Sequence, residues 1–73
     1  MTKESFELKT EFIDLLQLLK ATGYASTGGE AKMMVDDALV SVNGEPESRK
    51  RRKLRVGDEV NVDNQILIEL IAS

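Results

Sequence analysis

Cysteine, histidine and tryptophan are absent from this 73-residue chain, and proline occurs once. Without thiols there is no disulfide framework, and without thiolate or imidazole ligands there is no plausible metal site. The same absences weigh against catalysis. General acid–base pairs, activated serine nucleophiles and metal clusters need a partner that titrates near neutrality, and the carboxylates here are scattered over predicted solvent faces. The sequence therefore reads as non-enzymatic and free of cofactors. Aromatic residues make up 4% of the chain, too few for the stacking platforms of a single-strand reader. No apolar run approaches the roughly 20 residues needed to span a bilayer. The opening Met-Thr-Lys-Glu-Ser-Phe-Glu is too charged for a signal peptide, so no membrane contact is expected and the expected compartment is the cytosol.

What is present is an uneven distribution of charge. A hydrophobic content of 41% with 32% charged residues fits one small soluble domain spanning residues 1–73, held by packing alone. Its net charge is −3, yet the eight residues Ser48 to Arg55 hold six of the ten bases: Arg49, Lys50, Arg51, Arg52, Lys53 and Arg55. The rest of the chain sets four bases against thirteen acids, a formal −9. Mutual repulsion keeps such a run in solvent, where it either stays as a solvated charge run or meets a polyanion. Asn43-Gly44 on one side and Val56-Gly57-Asp58 on the other bound it inside the chain, so a fold would present it as a loop. Arginine and lysine suit phosphates because both stay charged and the arginine fork donates two parallel hydrogen bonds. About five such contacts imply that log K falls with log salt at a slope of roughly −3.5 to −4.5.

Along the chain, the alternation of Phe6, Leu8 and Phe12 against Glu7, Lys9 and Glu11 predicts a strand running to Ile13. Asp14, three residues before Gln17, predicts a helix start at Leu15. Leu15, Leu16, Leu18 and Leu19 form its apolar stripe, and Gly23 its left-handed stop. Thr27-Gly28-Gly29-Glu30 is a capping box. The helix after it buries Ala31, Met34, Val35 and Ala38, and Asp36-Asp37 oppose its dipole. Gly28-Gly29 either exposes backbone N–H groups to a phosphate or lets the helices pack closely. Tyr24, at the corner between the helices, either stacks on a base or plugs the core. Val40-Ser41-Val42, the Asn43-Gly44 turn, Leu54 and Val56 on one face, Val60 and Val62, and a closing strand over Ile66 to Ile71 complete the pattern. The fold class is α+β, with two packed helices against a small, mostly antiparallel sheet.

Thr27-Gly-Gly-Glu-Ala-Lys32, Val40-Ser-Val-Asn-Gly44, the basic run and Val56-Gly-Asp-Glu-Val60, in this order, resemble the alpha-L RNA-binding domain of ribosomal protein S-four and its kin. The likeness covers Phe12 to Val62 and is nearest to the small stand-alone bacterial members. It implies an RNA partner, structured ribosomal or transfer RNA and with it the ribosome, gripped by the second helix and the following loop. On this chain those positions are Lys32 in the helix and Arg49, Lys50, Arg51, Arg52 and Lys53 in the loop. Arg55 joins them on side-chain direction alone. Many members carry an arginine just after the capping hydroxyl residue, where this chain has Gly28, so more of the grip falls to the loop. The alternative is a protein-interaction module whose basic loop docks an acidic partner.

Overall fold

The computed structural model describes residues 1–73. It is an α+β arrangement of two short helices and a mostly antiparallel sheet. The strands are β1 (Thr2–Leu8), β2 (Ile13–Asp14), β3 (Val40–Val42), β4 (Glu45–Pro46), β5 (Lys53–Leu54), β6 (Glu59–Val62) and β7 (Ile66–Ala72); the helices are α1 (Leu15–Ala21) and α2 (Gly28–Asp36). The main sheet has the order β1-β7-β6-β3-β4, and β2 and β5 form a separate ribbon. Only the β1–β7 pairing is parallel.

The helices start and stop where local chemistry dictates. Asp14 Oδ1 accepts the Gln17 N–H at 2.9 Å and Thr27 Oγ1 accepts the Glu30 N–H at 3.1 Å, each satisfying a donor that the first turn leaves free. Helix α1 ends before Gly23 at φ 84°. Helix α2 ends at an alanine instead: Ala38 takes φ 59°, with Leu39 N–H on the Met34 carbonyl and Ala38 N–H on that of Val35. This is a Schellman closure without its usual glycine. The turn carries Ala38 out to solvent, so the buried stripe of α2 is Ala31 and Val35, with Met34 half-buried. Buried leucines of α1 join Ala31 and Val35, the β3 and β6 valines, Leu8, Ala25, Leu54, Ile68 and Leu70 in one fifteen-residue core cluster, against which Met34 packs.

Two boundaries differ from the sequence expectation. The first strand spans Thr2–Leu8 and not Phe6 to Ile13. Its register pairs Thr2 with Ile66 and Leu8 with Ala72, so β7 supplies a ladder for the polar Thr2–Ser5 stretch and runs out after Leu8. Tertiary pairing here overrides local pattern. Beyond it the chain bends, Thr10 Oγ1 donating to the Phe12 carbonyl at 2.8 Å, and Phe12 is left exposed. The second difference is Val56, which is 54% exposed while Leu54 is fully buried. Strand β5 ends at Leu54 because Asp58 Oδ2 accepts the Arg55 N–H at 2.8 Å and folds the chain into the Gly57 turn, which breaks the two-residue period.

These two residues separate the readings. Leu54→Ala is expected to cost about 2–5 kcal/mol of stability by opening a cavity in the core. Val56→Ala is expected to stay within about 0.5 kcal/mol. Urea unfolding of both variants followed by circular dichroism measures the difference, and equal losses would restore the longer strand.

Candidate nucleic-acid interface

The basic loop is tied down at both ends. Glu47 N–H donates to the Val40 carbonyl at 3.1 Å, hanging the start of the loop on β3. At its far end the Leu15 N–H donates to the Arg52 carbonyl at 3.0 Å, beside the Ile13–Leu54 and Asp14–Lys53 pairs of the β2–β5 ribbon. The flanking turns are braced as well: Asn43 Nδ2 donates to Asp58 Oδ1 at 3.0 Å and Asn43 Oδ1 accepts the Glu59 N–H at 2.9 Å. The cations are thereby fixed against the first turn of α1.

Their side chains fall into three groups. Arg49 and Arg52 are held by Glu47: Arg49 Nε and Nη2 lie 3.1 Å from Oε2 and Oε1, and Arg52 Nη1 lies 2.8 Å from Oε1. Lys50 Nζ reaches Asp36 Oδ1 at 3.0 Å, which gives one of the two acids at the end of α2 a partner that sequence did not suggest. Lys53 and Arg55 stand over the Phe12 ring, 4.8 and 5.8 Å from its centroid, within cation–π range. Arg51 is exposed and has no carboxylate within 4.0 Å.

Arg51 also joins two depressions. One, of about 520 Å³, is lined by Arg49, Arg51, Arg52 and Lys53. The other, of about 220 Å³, is lined by Asp14, Leu16, Gln17, Lys20, Gly28, Lys32 and Arg51. Lys32 therefore faces the loop across the helix pair, and neither it nor Lys20 has an acid partner within 4.0 Å. Lys20 was invisible as a site residue in the sequence, where it is one more exposed helical lysine; only the packing of α1 beside the loop brings it in. Gly28 lies in the same cleft, and a Cβ there would meet nothing within 4 Å, while one at Gly29 meets only Thr27 Oγ1 at 3.8 Å. Close helix packing is thus not what these glycines serve. Tyr24 packs on the core and lines a separate apolar depression with Met34, Leu39, Val62 and Ile66, away from every loop cation.

Glu47 is 94% removed from solvent yet ionised, since the Arg49 guanidinium holds its carboxyl down from the usual 4.5 to about 2, burial opposes the shift and Arg52 adds to it. Its folded-state value lies below the unfolded one. The ion pair therefore stabilises the fold above about pH 4.5 and is lost as the pH falls toward about 2. Wild type is expected to lose more stability than Glu47→Gln over that window in acid-titrated thermal melts. Parallel curves would mean that the carboxylate is not held by these arginines.

Comparison with known proteins gives the family. The profile of the S4 domain matches residues 6–69. RlbA of Bacillus subtilis, described as a probable ribosome maturation protein, is 43% identical over 56 residues, covering 77% of this chain and 79% of that protein. YbcJ of Escherichia coli, described as a putative RNA-binding protein, is 36% identical over 53 residues, covering 73% of this chain and 76% of its own length. The match takes in the capped α2, the Asn43-Gly44 hairpin, the basic loop and the Val56–Val60 turn, together with the end of β1 from Phe6 and the start of β7 to Glu69. The chain belongs to the S4 domain family.

Proposed function

We propose that this S4 domain is a non-catalytic RNA-binding protein that grips the phosphate backbone of structured RNA, ribosomal or transfer RNA, and acts on the ribosome or its precursors. The observation that carries the reading is Arg51. It is free of carboxylates at the junction of two basic depressions, one contributed by the loop and one by Lys20 and Lys32 of the helices. Lys32, Arg49, Lys50, Arg51, Arg52, Lys53 and Arg55 form the contact set, and Lys20 completes it. The descriptions of RlbA and YbcJ as ribosome maturation and RNA-binding proteins support the choice of polyanion.

The remaining charge arithmetic fits a local, ionic grip. Eight cations from loop and cleft stand against Asp14, Asp36 and Glu47, a net of five. Phe12 is covered by two cations and Tyr24 lies elsewhere, which leaves backbone and shape as the features to be read.

Titration of a folded ribosomal RNA fragment at several salt concentrations tests the proposal. A slope of about −3.5 to −4.5 is expected, reduced by roughly 0.7–0.9 in Arg51→Ala and unchanged in Lys3→Ala, because Lys3 pairs with Glu69 on β7. The double variant Lys32→Glu with Arg51→Glu is expected to abolish binding while melting like wild type, since neither side chain holds the fold together. Undiminished affinity in that variant would overturn the assignment and favour an acidic protein as the loop's partner.

A further inference from the structure

Glu47 is the one polar residue among the sixteen buried residues of the chain. Its two oxygens accept four N–H groups: Oε2 takes the Arg49 backbone N–H and Nε–H, and Oε1 takes Arg49 Nη2 and Arg52 Nη1. A carboxylate offers about four lone-pair sites, so nothing of Glu47 is left for an outside ligand. The arginines are not used up in the same way. Each guanidinium has five N–H donors; Arg49 spends two on Glu47 and Arg52 spends one, leaving three and four. The Arg49 side chain stays 71% exposed although it is pinned.

Two effects of this buried anion oppose each other. Its charge repels a polyanion, but that field is offset by the two guanidinia wrapped around it and screened by salt beyond about 10 Å. Against this, Glu47 holds two long side chains that would otherwise be ordered only when RNA arrives, and ordering such side chains on binding weakens association severalfold each. It also offsets the mutual repulsion of six neighbouring cations. Resting on the reading of the loop as an RNA-binding surface, we propose that Glu47 is a positioning residue: it presets Arg49 and Arg52 for phosphates, so that a negative charge inside the cationic loop raises RNA affinity.

Asp36 provides the contrast. Its carboxylate is 57% exposed and holds only Lys50, through a single contact, so it presets little and merely subtracts charge. Titration of the folded ribosomal RNA fragment is expected to show Glu47→Gln binding about fivefold or more weakly than wild type and Asp36→Asn binding as tightly or more tightly. In an Arg49→Ala, Arg52→Ala background, Glu47→Gln is expected to cause no further loss. Tight binding by Glu47→Gln, or a loss that persists in that background, overturns the role. A readout on wild type alone keeps the test independent of whether the variant folds. In the free protein the Arg49 and Arg52 Nε–H groups are expected to show high order in nitrogen-15 relaxation and the Arg51 group low order; equal mobility of all three overturns the role as well. Absence of any RNA binding by wild type would instead overturn the function from which the inference starts.

Discussion

The Leu15 N–H bound to the Arg52 carbonyl, with the Ile13–Leu54 pair beside it, joins the end of the basic loop to the beginning of α1. Six cations within eight residues repel one another and favour an extended, mobile segment. Burying Leu54 completely in the core works against that tendency, and the two-residue ribbon fixes the register at which the loop leaves. The position of every cation relative to the helices follows from this join, including the approach of Arg51 to Lys20 and Lys32.

Charge compensation in the loop is selective. The molecule neutralises the cations at the loop's root and flank, through Glu47 and Asp36, and leaves its tip without a carboxylate. Lys53 and Arg55 are steadied by the Phe12 ring instead, an interaction that keeps their charge available. A loop paired throughout would have little attraction for phosphates, and one paired nowhere would lack a defined shape. Phe12, which the two-residue pattern assigns to a buried strand face, finds its use here as an exposed support under cations.

The features legible in the sequence are those whose cause is local. Asp14 and Thr27 cap helices because their oxygens reach an N–H three residues on, and Asn43-Gly44 turns because both residues accept positive φ. The family resemblance rests on the same short motifs, and Lys32 and the loop arginines lie within it. The hidden features depend on chain segments far apart. Thr2–Ser5 is a strand only because β7 lies alongside; Lys20 is a neighbour of Arg51 only because α1 is fastened to the loop; Asp36 meets Lys50 across fourteen residues of chain. Glu47 was open to local reasoning, as the acid directly ahead of the basic run. Its burial depends on the bond from its N–H to β3.

The unobstructed space above Gly28 separates how firmly a polyanion is held from how firmly the domain is folded. A side chain at that position would enter the cleft without displacing any atom of the core, so residence time on a nucleic acid can be lengthened or shortened there with little change to the scaffold.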